Sequence, residues 1–246
     1  MRLALRRRPV PDPDHIEVQH GDARLRVDLR RRATARRLTL RVSNATGEVV
    51  MTLPSRTALS TALRFAESHG GWIAMRLAKV PERIALDTDA VLPFRGTPHR
   101  VVHIGSRSRA TAIEPIDGEP TITVSCDAPH VARRVRDFLD REVRKDLEKA
   151  VAAYTAALGQ GPRRITVRDT RSRWGSCTAK GDLNFSWRLI LAPPLVLDYL
   201  VAHEMAHLRE MNHSPRFWAL HNSLCPHVDE AERWLKRHGS ELHRYG

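Results

Sequence analysis

The sequence predicts an α+β fold in which a β-rich N-terminal part precedes a mainly helical C-terminal part. Apolar and polar residues alternate between residues 16 and 53, and a period of two is typical of strands. Between residues 129 and 158 the apolar residues instead recur at helical spacing. The chain accordingly divides into a charged tail over 1–15, which we expect to be disordered, a β-rich region over 16–128 and a mainly helical region over 129–246.

The β-rich region contains two short helices between two groups of strands. The first helix follows Pro54, and the second carries Trp72 and ends before Pro81. Gly, Asn and Pro residues separate the strands on either side. The clearest strands are Leu25–Leu29, Leu38–Val42, Val49–Leu53, Val91-Leu92, Val101–Ile104 and Ile122–Val124.

The helical region begins with an amphipathic helix that is long enough to be a central packing element. Its apolar stripe extends from Val131 to Tyr154, with charged residues between. Two strands are expected next, over Ile165–Val167 and Leu183–Ile190. Pro193 suits the first turn of the helix that follows. The last three helices are predicted over about 193–210, 214–223 and 229–237.

The positive charge of the chain is concentrated in its first half. The 246 residues include 41 Lys and Arg against 28 Asp and Glu, a formal net charge of +13. Residues 1–110 hold 21 basic and 10 acidic groups (+11), whereas residues 111–246 hold 20 and 18 (+2). Arginine supplies 36 of the basic residues, a bias that a GC-rich coding sequence produces without any partner. The alternative is attraction to a polyanion such as nucleic acid, without a base-stacking surface because no aromatic residues lie among the arginine clusters.

Composition and cysteine usage exclude several classes of protein. With 41% hydrophobic and 28% charged residues, the chain is typical of globular proteins rather than disordered ones. No apolar run approaches the length of a membrane span, and the N-terminus lacks the apolar stretch of a secretory signal. Three cysteines without a C-x-x-C pair fit neither a disulfide scaffold nor a cysteine-type zinc module. We therefore expect a cytoplasmic protein that does not bind membranes, with its oligomeric state left open.

An H-E-x-x-H motif, which begins at His203, lies inside the helix predicted after Pro193. The i, i+4 spacing puts His203 and His207 on one helix face, so that both imidazoles can bind one Zn²⁺ at about 2.0–2.1 Å. Glu204 is adjacent and can act as general base toward a water that the metal activates. The flanking residues are apolar, which is typical of zincins, where the ligand helix is buried on its other sides.

A catalytic zinc site needs a third protein ligand and one open position for water. His213 lies six residues after His207, the same count as in the metzincin pattern, although Glu210 replaces the glycine of that pattern. The chain can instead turn at Asn212, before a helix that Ser214 caps. His213 is therefore the candidate third ligand, and a surface histidine is the alternative.

Other residues near the motif have roles that the pattern leaves open. Cys177 is expected to be a buried structural cysteine, because a fourth protein ligand would close the open position of a catalytic zinc. His221 and His227 lack ligand spacing and are expected to be solvated or to contact the ligands. The candidates for a carboxylate that orients a ligand histidine are Asp198, Glu210 and Asp229.

A second dense segment precedes the motif helix and is expected to help bind the substrate. Gly175 and Gly181 allow tight turns, and the alternation that follows predicts a strand or hairpin. In zincins an edge strand of the sheet binds the peptide by β-augmentation. The substrate-binding residues stay unknown; the candidates are Trp174, Asn184 and Tyr199, and Tyr199 has a structural role as its alternative.

Four motifs that occur in order over residues 171–218 resemble those of the YgjP-like metallopeptidases, a family of bacterial proteins usually described as predicted metal-dependent hydrolases. The family is similar to the WLM and SprT-type minimal zincins, whose members cleave proteins crosslinked to DNA. The segments from Ala35 to Val42 and from Gly71 to Ile73 also resemble the β-rich front part of the family. The four motifs are Arg173–Cys177, Trp187–Leu189, Asp198–Leu208 and Asn212–Trp218.

The resemblance implies a zincin-like, minimal gluzincin-type catalytic region with an N-terminal β-rich extension. It implies His203, His207 and His213 as metal ligands and Glu204 as the catalytic base. The leading hypothesis is thus a zinc-dependent peptidase that acts on a protein or peptide. One alternative is a nucleic-acid-binding protein with a structural or regulatory zinc site. A combined form of the two hypotheses is a protease that DNA recruits. Another alternative is a zinc hydrolase that acts on a non-peptide amide.

Overall fold

The structure, a computed structural model, describes residues 13–43, 46–80, 82–106, 110–170 and 173–246. The contacts separate two compact units, one formed by the described residues before position 81 and the other by Glu82–Gly246. The predicted tail lies outside the described residues except for its last three. The β-rich region predicted over 16–128 extends across both units, and the division predicted after residue 128 lies within the second.

The first unit is a four-stranded sheet with two helices packed on one face. Alternate strand residues such as Val27, Met51 and Leu53 are buried, and they pack against Ala62 and Ile73 of the helices. The strand order is β1-β2-β4-β3, in which β2 and β4 are parallel and the other pairs antiparallel. The elements are β1 (His15–His20), β2 (Ala23–Arg32), β3 (Thr39–Val42), β4 (Val49–Pro54), α1 (Leu59–Ser68) and α2 (Gly70–Leu77).

The second unit contains two sheets and four α-helices, of which the long helix α3 (Val131–Leu158) contacts both sheets. The first sheet has the order β5-β6-β8-β7 and the second β10-β11-β9. The strands are β5 (Val91–Phe94), β6 (Thr97–His103), β7 (Ala112–Ile113), β8 (Thr121–Val124), β9 (Arg164–Arg168), β10 (Gly175–Cys177) and β11 (Asp182–Ser186). The later helices are α4 (Pro194–Ala206), α5 (Pro215–Leu224) and α6 (Val228–Leu242).

One hydrophobic core unites these elements. The apolar stripe of α3 is buried, with Val135, Leu139 and Leu147 fully inaccessible, and it belongs to the same core as Phe185 of β11 and Val201 of α4. The predicted α+β class is confirmed. In the part of the chain that the structure describes, no helix has the length and apolar character needed to cross a membrane.

Two predicted elements end earlier than their apolar patterns suggest. The strand predicted over Leu183–Ile190 stops at Ser186, whose side-chain oxygen accepts a hydrogen bond from the N–H of Arg188 and starts a 3₁₀ turn. The helix predicted to about Glu210 ends at Ala206, because the N–H groups of Leu208 and Arg209 bond to carbonyls three positions back. Both endings follow from local hydrogen bonds that an apolar pattern does not reveal.

Candidate active site

Helix α4 is buried on almost every side, so its few polar side chains are exceptions that need a role. Pro194 occupies the first turn, where its missing N–H costs no helical hydrogen bond. Val196, Val201 and Ala202 are fully buried, and they point in different directions around the helix. The end of α4 that follows them carries the H-E-x-x-H motif.

Three histidine side chains meet at the C-terminal end of α4. The ring of His203 lies 5.0 Å from that of His207 and 5.0 Å from that of His213, and the last two lie 4.7 Å apart. One ring nitrogen from each lies within 4.8 Å of the others, and the Nε2 atoms of His203 and His213 are 3.0 Å apart. Nitrogens that all bind one zinc ion lie at most about 4.2 Å apart. The three rings therefore need only small adjustments to share one ion.

The ring of Phe217 packs against all three histidine rings. Its ring centroid lies 4.9 Å from His203, 4.5 Å from His207 and 4.7 Å from His213, and the side chain is fully buried. The Ser214 side chain accepts a hydrogen bond from the Phe217 N–H, which makes it the N-cap of α5 as the sequence predicts. Because Ser214 fixes the start of α5, it fixes both the turn that carries His213 and the position of Phe217.

The protonation states suit metal binding. Burial, reinforced by the neighbouring histidines, lowers the pKa of His203 to about 3, and burial also lowers the pKa of His207. The Nδ1–H of His207 donates to the backbone carbonyl of Glu210 at 3.0 Å, which leaves Nε2 as its free nitrogen. The buried Nδ1 of His203 has no hydrogen-bond partner among the described residues. Neutral imidazoles of this kind are the form that binds a metal.

Glu204 lies beside the histidines in a position that only a glycine neighbour permits. Its side chain is buried, and a Cβ added to Gly175 of β10 would come within 2.6 Å of its Oε1. Burial raises the pKa of Glu204 to about 7, against the opposing effects of a hydrogen bond from the Cys177 backbone N–H and the positive charge of Arg173. A carboxyl group that titrates near neutral pH is suited to general base catalysis.

Strand β10 is the edge strand nearest to Glu204. It pairs with β11 through Gly175–Phe185 and Cys177–Leu183, and no strand of the described residues pairs with its other edge. An edge strand can accept an added peptide strand. A cavity of about 310 Å³ lies where β10 turns into β11, and its lining includes Lys180 and His207. The cavity thus lies beside His207, next to the end of β10.

The three substrate-binding candidates have different surroundings. Trp174 stacks on His243 with the rings 4.7 Å apart. Tyr199 is buried, and its hydroxyl donates to Glu232 at 3.2 Å. Asn184 lies in β11, where it accepts a hydrogen bond from the Arg168 side chain at 2.7 Å. The contacts of Tyr199 are those of a structural residue, and the substrate roles of all three stay predictions.

Side-chain patterns could not reveal how the three clustered histidines are oriented. The group that contacts His207 is the carbonyl of Glu210, not a carboxylate, and Asp198 instead accepts a hydrogen bond from the Tyr154 hydroxyl at 2.8 Å. His221, without ligand spacing, is fully buried with its ring 5.4 Å from that of His203. In the sequence, only its position one helical turn after Phe217 indicates that His221 lies close to His203.

Cys177 lies outside the histidine cluster. Its side chain is partly buried in β10, and its Sγ contacts the carbonyl of Thr178 at 3.4 Å. Burial, with the nearby charges of Glu204 and Asp182, raises its pKa to about 11. A thiol in this state is neutral at physiological pH. The side chain is only partly buried, whereas the sequence predicts a buried cysteine, and its structural role stays a prediction.

The family of the chain follows from a comparison with models of known protein families. A family model described as the YgjP-like metallopeptidase domain matches residues 36–238. The crystal structure of the metallopeptidase zymogen abylysin of Pyrococcus abyssi is 22% identical over 39% of this chain and 93% of its own, with a TM-score of 0.33. A search of curated proteins gives no match. The family model spans most of the chain and confirms the resemblance of its motifs, so the chain belongs to the YgjP-like metallopeptidases and is a metal-dependent hydrolase.

Proposed function

We propose that the protein is a zinc-dependent peptidase whose metal is held by His203, His207 and His213. The convergence of these three rings with the buried Glu204 is the observation that carries the proposal. Three imidazoles fit zinc, and they leave a fourth position open as catalytic sites require. A zinc ion held there would supply Lewis-acid polarisation of the scissile carbonyl and activation of a water molecule.

Glu204 is the proposed general base. Its carboxyl group is buried and has a pKa of about 7, so it can take a proton near neutral pH and return it to the leaving amine. The Cys177 N–H donates a hydrogen bond to the carboxylate and holds its orientation. The base is thereby fixed by the backbone of the strand that lies beside the scissile bond.

Strand β10 is the proposed binding site for the substrate backbone. A peptide that pairs with its free edge is held extended, with alternate carbonyl groups directed toward β10. Since the Glu204 carboxylate lies against Gly175, such pairing brings a peptide bond close to the base. This arrangement favours a peptide over an unrelated small amide.

The test combines metal analysis with proteolysis of a casein substrate. Glu204→Gln is expected to retain one zinc per chain and to lose activity, and His207→Ala is expected to lose the metal as well. Glu148→Gln and His130→Ala, which alter exposed residues of the same types, should match the wild type in both measurements.

Two results would contradict the proposal. Full activity of Glu204→Gln would remove Glu204 from the mechanism, and unchanged zinc content in His207→Ala would remove that ligand.

Zinc binding without cleavage of casein or a peptide library would favour a structural zinc site. Cleavage of small amides alone would favour the non-peptide hydrolase.

A further inference from the structure

The exposed face of the first unit's sheet carries a row of arginines. Along β2, every second residue from Arg24 to Arg32 points away from the core, and four of these five are arginines, with Asp28 as the exception. Residues that share a strand face lie about 6.6–6.8 Å apart, twice the rise per residue. The strand therefore presents four guanidinium groups along one line, which Asp28 interrupts in the middle.

At the end of this row lies a pocket whose lining is basic and polar. Its volume is about 560 Å³, and none of the lining residues is acidic. The strand register places Thr52 of β4 between Arg30 and Thr39 of the neighbouring strands, so the floor of the pocket continues the exposed face of the sheet. The lining residues are Arg32, Thr34, Ala35, Arg36, Arg37, Thr39 and Thr52.

The two arginines in the middle of the β2 row have acidic partners. Arg26 pairs with Asp28 at 3.0 Å, and Arg30 pairs with Glu48 at 3.0 Å. Within the described ranges, no carboxylate forms an ion pair with the three pocket arginines, Arg32, Arg36 and Arg37. Three guanidinium groups around one cavity repel one another, and an anion from outside the chain would relieve that repulsion.

Phosphate oxygens are the acceptors that this set of donors fits best. Guanidinium groups bind phosphate through paired N–H donors, and threonine hydroxyls add single hydrogen bonds. A free phosphate ion would occupy only the pocket, whereas a phosphodiester chain would also use the row along β2. We propose that this sheet face binds the backbone of a nucleic acid strand, with one phosphate seated in the pocket. This proposal is independent of the metal site.

The test measures binding of the full chain to fluorescent 20-nucleotide DNA and RNA, single-stranded and duplex, by anisotropy over a range of salt concentrations. The pocket variant is Arg32→Gln/Arg36→Gln/Arg37→Gln. A control with the same loss of charge is Arg56→Gln/Arg64→Gln/Lys79→Gln, which alters exposed residues near the two helices of the same unit. Circular dichroism of both variants checks that they fold.

We expect the pocket variant to bind at least about ten-fold more weakly and the control to change by less than about three-fold. Loss of the phosphate contact in the pocket should also reduce the slope of log K against log salt by about 1. A variant that carries lysine at the three pocket positions keeps the charge but loses the paired donors, so intermediate binding is expected.

Three outcomes would overturn the proposal. Equal weakening in the pocket variant and the control would mean that net charge alone attracts the oligonucleotide. Displacement of the oligonucleotide by 1 mM inorganic phosphate, but not by chloride of equal ionic strength, would mean that the pocket takes a free phosphate. Binding to vesicles with phosphatidylglycerol and to none of the oligonucleotides would assign the face to a membrane.

Discussion

The closeness of Gly175 to Glu204 allows one substitution to separate metal binding from catalysis. In Gly175→Ala the new Cβ would lie 2.6 Å from Oε1, while ordinary contact begins at 3.4 Å. The carboxylate and β10 must therefore move apart by about 0.8 Å. The φ angle of Gly175 is not positive, so the substitution adds this steric conflict without backbone strain.

The displacement is of a size that matters for proton transfer. A misplacement of about 1 Å in a catalytic group lowers the rate about 10²-fold, which corresponds to about 2.7 kcal/mol of activation free energy. We expect Gly175→Ala to lose this factor in kcat/KM for a fluorogenic peptide. The zinc content should stay at one per chain, because the three atoms nearest to the new methyl group all belong to Glu204.

Gly239→Ala is the matched control, because its Cβ would meet other atoms only at 3.6 Å and beyond. It should keep full activity. If Gly175→Ala cleaves the peptide within two-fold of the wild-type rate while it holds zinc, then Glu204 does not need the position seen here. Glu204 would then not act as the general base from this position.

Four further predictions concern stability and specificity. Arg188 is almost fully buried and pairs with Asp169, so Arg188→Ala should lower the free energy of unfolding in urea by about 3 kcal/mol, whereas the exposed Arg144→Ala should stay within about 0.5 kcal/mol. Burial acts to raise the pKa of Asp169, but the hydrogen bond and charge of Arg188 outweigh it and lower that pKa overall. The ionised carboxylate therefore stabilises the fold above its ordinary pKa of 3.8 and loses this effect as the pH falls, so Asp169→Asn should flatten the acid limb of a plot of urea midpoint against pH. Removal of zinc with a chelator should lower the melting temperature, because a metal at one hundred times its Kd stabilises the folded state by about 2.7 kcal/mol. His207→Ala should abolish the difference in melting temperature between the samples with and without zinc. Lys180 lines the cavity beside His207, so a peptide library should show a preference for acidic side chains near the cleaved bond, which Lys180→Glu should reverse.

The sequence predicts the parts of the site that depend on short spacing. His203 and His207 share a face because any helix brings residues four positions apart together. His213 could be placed near them because it follows His207 by only six positions, and Ser214 gives a recognisable helix start. The alternation of apolar residues likewise predicts which face of the first sheet is buried.

Contacts between distant segments could not be predicted in the same way. Gly175 and Glu204 are 29 positions apart, and their contact depends on how β10 packs against α4. The carbonyl of Glu210 orients His207, and a backbone group leaves no trace in the identity of a side chain. His221 has an ordinary polar position in the sequence, yet the packing of α5 against α4 buries it completely.

The strand order β10-β11-β9 has a consequence for local motion. The parallel pair β9 and β11 forms the body of this sheet, and the three-residue β10 is joined to it by one edge only. Its loss would leave the other two strands paired, so opening of β10 should require far less free energy than global unfolding. Amide hydrogen exchange at Ser176 should therefore be faster than at Asn184. A bound peptide would slow that exchange, because it makes β10 an inner strand.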